Sequence, residues 1–306
     1  MDVTGKRIAI ALGGGGARGA AHIGAIDELE RRGARIVAIA GTSMGAVVGG
    51  IHAVGRLEEY ATWLASLTHR DVLRLLDPSL RSPGMIAGEK VMARIRDLIG
   101  QVRIEDLPLP YTAVATDLVA GKEVWFQSGS LETAIRASIA LPSVFTPLVH
   151  EGRVLADGGL LNLVPVTPLA SVHADLLVAV SVGGAPRGSL GRDPDDAVES
   201  ARRSAQHARD ADMLQRIKAR LGWERSGPTE PVAEGEQGTP VSVRTLDIME
   251  LSLQAMQRMI TRYQMANYPA DVVIELPADA CGTMEFHRSR ELIAMGRAET
   301  ARVLDA

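Results

Sequence analysis

The chain has 306 residues, 46% apolar, 23% charged and 3% aromatic, with a formal net charge of −4. That length suits one large α/β domain or two small ones, and the apolar fraction is ordinary for a folded globular protein. The mild negative charge argues against a nucleic-acid binder, and a single cysteine, Cys281, excludes an intramolecular disulfide and any multi-cysteine metal site.

Arg7–Leu12 reads as a buried strand running into the glycines Gly13–Gly16. Its apolar run is too short for a targeting segment, and no stretch reaches the roughly 18 apolar residues of a transmembrane helix. The reading is a cytoplasmic enzyme that at most touches a membrane from outside. Ala20–Arg32 has helical spacing, with Ile23, Ile26 and Leu29 on one side and Gly33 as its stop. Ile36–Ala40 is a second strand, followed by Gly41–Gly45 and a small-residue helix, Ala46–Val54. Strand and helix alternating in this way predict parallel strands with right-handed crossovers.

Helices follow over Leu57–Leu67 and Glu89–Ile99, then strands at Tyr111–Thr116 and Glu123–Gln127 and a helix at Leu131–Ile139. Arg153–Leu155 and Leu176–Val182 read as strands. Residues 184–240 then form a polar excursion, partly mobile by composition, with a charged helix near 197–221. On that helix Arg202, Arg209, Arg216 and Arg220 share a face, read as solvated rather than lipid-bound. The chain returns with an amphipathic helix, Leu246–Met265, whose Met249, Met256 and Met259 read as core. A strand (Asp271–Leu276) and a helix (Ser289–Leu304) complete one domain over 1–306. The sequence leaves the oligomeric state open.

Three segments carry chemistry. Gly13–Gly19 reads GGGGARG after a strand, so its amides are unobstructed for an anion at the positive end of the next helix. Alone, this run fits a dinucleotide pyrophosphate, a nucleotide phosphate or a reaction oxyanion. The dinucleotide reading lacks its acidic residue, because the second strand ends Ile39-Ala40-Gly41-Thr42-Ser43. A Walker loop lacks its Gly-Lys-Ser/Thr.

Gly41-Thr42-Ser43-Met44-Gly45 matches the G-x-S-x-G nucleophile elbow between a strand and a helix. Only one strand–helix unit precedes it, which is too early for an α/β-hydrolase. If the first two strands are parallel neighbours, the glycine loop and the elbow emerge at the same sheet edge. Asp157-Gly158-Gly159 follows a strand and offers a carboxylate as base. Of seven histidines, His22 is nearest the glycine loop, where packing is the preferred reading. His173, His207 and His287 follow Asp157, and none lies in a motif that names it as a base.

Gly14-Gly15-Gly16-Ala17-Arg18-Gly19, Gly41-Thr42-Ser43-Met44-Gly45 and Asp157-Gly158-Gly159 together resemble the patatin-like phospholipase family, above all its bacterial members. Ala137-Ser138-Ile139-Ala140-Leu141-Pro142, with Phe145 and Pro147, is similar to the segment ahead of that family's aspartate. The likeness spans roughly residues 7–182 and weakens over about the last 60. It implies a three-layer α/β/α sandwich around a mostly parallel central sheet. It also implies a Ser–Asp dyad without histidine, Ser43 being the nucleophile and Asp157 the base. The oxyanion hole it implies is built from backbone amides of Gly14, Gly15 and Gly16, the last two foremost. Gly19, Gly41, Met44, Gly45, Gly158 and Gly159 support these groups, and Arg18 is read as a pin for the loop. Many members have Ala where Gly159 stands. The implied activity is hydrolysis of lipid or lysolipid esters through an acyl-serine, with no metal or organic cofactor. An acyltransferase using the same dyad, or a lipid-binding regulatory protein with a vestigial site, are the alternatives.

Overall fold

Strand β1 (Arg7–Leu12) alternates large and small apolar side chains, and this alternation sorts the molecule into layers. Ile8, Ile10 and Leu12 face a large core, whereas Ala9 and Ala11 face a smaller one on the other side of the sheet. The computed structural model describes residues 1–75, 88–142, 144–184 and 245–306.

Among the described residues the sheet has eight strands. Beside β1 lie β2 (Arg35–Thr42) and β7 (Leu176–Gly184), both parallel to it; β8 (Val272–Pro277) is parallel to β7 and β3 (Tyr111–Asp117) to β2. At the β3 end the sheet turns antiparallel, with β4 (Lys122–Phe126) and β6 (Arg153–Asp157) on β3 and β5 (Leu148–His150) on β6. The mostly parallel sheet therefore carries an antiparallel corner. Strand β5, three residues long, is too short to show a period in sequence.

The large core takes side chains from α1 (Ala21–Arg31), α2 (Met44–Ala53), α3 (Leu57–Ser66), α5 (Glu89–Ile99) and α6 (Leu131–Ser138), with α4 (His69–Leu75) beside them. The C-terminal helix α8 (Ser289–Asp305) closes this layer by packing along α1. Two glycines set that approach: a Cβ on Gly24 would strike the carbonyl oxygen of Ile293, and one on Gly296 that of Ala21. The opposite face of the sheet is lined with Ala9, Ala11, Ala38, Ala40 and Ala179. Over them lie Val164, Val166 and Leu169 from the chain after β6, and Met265 from α7 (Thr245–Asn267). The result is a three-layer α/β/α arrangement.

Two expectations are corrected. The helix after the glycine run starts at Ala21, one residue later than Ala20, behind a short 3₁₀ turn (Gly16–Ala20) whose Ala17 amide is committed to Thr283 O at 2.8 Å. Met256 and Met259 are not core: they are 56% and 52% exposed. The inner face of α7 is instead carried by Gln257 and Gln264, whose amides bond backbone carbonyls below, and by Met265, which packs on the alanine face. Met249 lies outside the residues whose side chains are described, and the charged helix near 197–221 with its four arginines lies outside the described residues altogether. Among the described residues no helix is long and apolar enough to cross a membrane.

The Gly24–Gly296 crossing gives a stability prediction. Gly24→Ala inserts a methyl group against a backbone carbonyl that cannot rotate away, an overpacking cost of about 1–3 kcal/mol. Thermal unfolding should shift down by roughly 2–5 °C. A variant melting within a degree of the parent would show that α1 and α8 are not locked at this distance.

Candidate active site

Strand β3 determines where the site forms. A strand has two edges, and β4 covers one of them over Ala113–Asp117. The other edge is shared: β2 pairs with Tyr111–Val114 and β6 with Ala115–Asp117. Thr42 lies opposite Val114, and Asp157 lies opposite the next residue, Ala115. Strands β2 and β6 therefore run towards each other along one edge and stop end to end. Ser43, the residue after Thr42, and Asp157 are brought together by this register alone.

Ser43 sits at φ 54°, ψ −121°, and apart from Glu151 it is the non-glycine residue with positive φ among the described residues. Such a conformation costs of order 1–3 kcal/mol and persists only where the surroundings enforce it. Gly41 and Gly45 allow the turn, since a Cβ on Gly41 would strike the Gly45–Ala46 backbone and one on Gly45 the Leu12 carbonyl. The Ser43 amide donates to Ser138 Oγ at 2.9 Å, and Ser138 Oγ donates to Val114 O at 2.6 Å. Helix α2 begins at Met44, so its positive end lies at the serine.

Asp157 is 2% exposed. Its Oδ1 accepts the Gly159 amide at 2.7 Å, while its buried Oδ2 has no hydrogen-bond partner. Burial pushes the carboxyl up to about 6, opposed by the Ser43 hydroxyl and the Gly159 amide. The Ser43 hydroxyl thus lies close enough to act on the carboxylate. No histidine of the described residues is among the groups that act on Asp157. The backbone around Asp157 is fixed as well: its amide donates to Ala140 O at 2.9 Å, and its carbonyl accepts from Thr116 Oγ1 at 3.0 Å.

The glycine loop joins the same cluster. Gly14 lies against Ser43, a Cβ there falling 3.3 Å from the serine Cβ. Its amide, however, is already engaged by Leu163 O at 2.9 Å, and the Gly13 amide by Val180 O. The amides of Gly15, just before the 3₁₀ turn, and Gly16, its first residue, have no hydrogen-bond partner among the described residues. Gly16 adopts φ 57°, and side chains at Gly15 or Gly19 would strike Val182 or Met44. Arg18 donates to Gly15 O at 3.2 Å and to Ala278 O, tying the loop to the chain after β8. His22 donates from Nε2 to Gly13 O at 2.7 Å; its burial holds it near 4 and therefore neutral.

Gly158 must be glycine because a Cβ would strike Val114 O. The chain beyond it laces the motifs together, Asn162 O accepting from Thr42 Oγ1 at 2.8 Å. From above, Gln257 Nε2 of α7 donates to Gly159 O at 2.8 Å, and Gln264 Nε2 to Leu161 O at 3.0 Å and Glu123 Oε1 at 3.2 Å. Asn162 Nδ2 donates to the other oxygen of Glu123 at 2.9 Å. Ser138 lies in a segment the sequence singles out, without a role; Glu123, Asn162, Gln257 and Gln264 carry no signal in sequence.

Among the described residues no group of His, Cys, Asp and Glu is placed to hold a metal ion. The arrangement offers a strained hydroxyl, a buried carboxylate beside it and two amides nearby. A sequence profile described as patatin-like phospholipase matches residues 10–170. An uncharacterized NTE family protein of Mycobacterium tuberculosis is 44% identical over 98% of this chain and 92% of its own length. Neuropathy target esterase of Drosophila melanogaster is 34% identical over 59% of this chain and 13% of its own length. Patatin-like phospholipase domain-containing protein 6 of Homo sapiens is 36% identical over 59% of this chain and 14% of its own length. The chain belongs to the patatin-like phospholipase family.

Proposed function

We propose that the chain is a serine acyl-hydrolase that cleaves lipid or lysolipid carboxylic esters with Ser43 as nucleophile and Asp157 as base. The observation that carries this reading is the juxtaposition of a strained serine at a helix N-terminus with a buried carboxylate whose Oδ2 lacks a partner. A carboxylate is a poor base in water; desolvation brings its proton affinity close to what serine activation near neutral pH needs.

Asp157 takes the Ser43 proton as Oγ attacks the acyl carbonyl. The amides of Gly15 and Gly16, with that of Met44, receive the developing O⁻; Gly14 acts by close approach, since its own amide is spent on Leu163. Each such donor is worth roughly 2.7–4 kcal/mol. The ester C–O bond breaks, the alcohol leaves with the proton from Asp157, and an acyl-serine remains. Water then attacks this acyl group, giving its proton to Asp157, and the acid departs as the proton returns to Ser43.

Ser43→Ala should remove hydrolysis of a soluble ester and labelling by a fluorophosphonate while leaving a cooperative fold. Asp157→Asn should lower kcat by roughly 10³–10⁴. Tenfold or smaller losses in steady-state assays of the purified variants would overturn the assignment.

The buried carboxyl also sets the pH dependence. kcat/KM should fall tenfold per unit below pH about 6 and be flat from there to pH 8. Stability should run the other way. With the folded value raised from 3.8 to about 6, the folded chain holds this proton more tightly than the unfolded chain. Asp157 therefore contributes stability in full below pH about 4, and this is lost as pH rises through 6. Asp157→Asn should exceed the parent by about 3 kcal/mol at pH 8 and lose that margin towards pH 4. Urea titrations at the two pH values check this, and equal stability at pH 8 would show that burial does not strain the carboxylate.

A further inference from the structure

Helix α7 has two faces of opposite character. Inward, Gln257 and Gln264 bond the chain that follows Asp157. Outward, Met256, Met259 and Tyr263 form a stripe at helical spacing, Tyr263 being 66% exposed. Arg258 and Arg262 are exposed beside it, and the sequence from 251 to 270 holds no Asp or Glu, although the whole chain is at −4. Half-exposed Trp125 lies at the same rim, its Nε1 donating to Glu123, which also accepts Gln264.

We propose that this outer face of α7 is the surface by which the enzyme seats on an anionic lipid bilayer. The inference rests on the lipid-ester reading above and gives that site its approach. Three features select a membrane rather than a protein. Flexible methionines and amphipathic Tyr and Trp suit a fluid interface that offers no fixed partner shape. Two arginines without a neighbouring acidic residue in sequence match anionic head groups. The stripe also lies across one helix diameter, about 10 Å, from the loop carrying Asp157, so a bilayer docked on it holds the site within a lipid's length of the surface.

Vesicle sedimentation of the full chain tests this, using phosphatidylcholine vesicles with and without phosphatidylglycerol, alongside hydrolysis of a soluble short-chain ester. The parent should bind the anionic vesicles more tightly. The triple variant Met256→Gln/Met259→Gln/Tyr263→Gln should lose roughly tenfold or more in partitioning and in hydrolysis of vesicle lipid, with soluble-ester hydrolysis unchanged. Arg258→Gln/Arg262→Gln should abolish only the preference for anionic vesicles, and it serves also if the triple variant does not fold. Three results overturn the proposal: a parent that binds neither vesicle, variants that bind as the parent does, or a parent dimer that the triple variant dissociates, which would make the face a contact between copies. A parent inactive on the soluble ester would instead strike the hydrolase reading, so the two failures are distinct.

Discussion

Everything at the site depends on one shared edge. Strand β3 accepts β2 on the first half of an edge and β6, running the opposite way, on the second half. Two strands can share an edge in this way only if each stops where the other does, so their last residues meet without a loop between them. Backbone hydrogen bonds, rather than side-chain packing, thus fix the spacing between Ser43 and Asp157. This is a stiff arrangement, since shifting either strand by one residue would turn its side chains to the opposite face. The antiparallel corner exists for this meeting: a purely parallel sheet would bring both strands in pointing the same way.

The meeting is costly, and the surroundings show how the cost is offset. Ser43 is held at positive φ and Asp157 is held away from water, each of which disfavours the folded state. Against this, the segment from Ser138 to Ala140 accepts both backbone amides, that of Ser43 on a side-chain oxygen and that of Asp157 on a carbonyl. One short stretch at the end of α6 therefore clamps both Ser43 and Asp157, and movement of that helix would displace them together rather than apart. Thr42, Gly14 and Thr116 add bonds that tie each motif to its neighbour.

Much of this was legible in sequence because it is local. Glycines at 41 and 45 flank a serine between a strand and a helix for steric reasons that operate within five residues, and the structure places the Gly41–Gly45 and Leu12 backbones in that contact. The buried character of β1 and the helical spacing of α1 were likewise readable, since both reflect burial against the nearest layer. What failed was long-range. The methionines of α7 were read as core because apolar residues usually face inward, but the inner face here meets a loop whose carbonyls need donors. Glutamine meets that need and methionine cannot. Which glycine amides are free was likewise not legible, because that of Gly14 depends on Leu163, some 150 residues further on, which no local pattern encodes.

The reach of sequence likeness and the reach of the site do not coincide. The family profile ends at residue 170, yet the glycine loop is held from beyond it: Thr283 O takes the Ala17 amide and Ala278 O takes Arg18. The α8 helix presses on α1 directly behind that loop, and α7 covers the turn after Asp157. An oxyanion site made of backbone amides has no side chain of its own to keep it in place, so its geometry is set by whatever bonds the adjoining carbonyls and amides. Such supports can be replaced by any segment that offers an acceptor at the right point. What the loop requires of the chain beyond residue 170 is therefore an acceptor at a given point rather than a particular side chain.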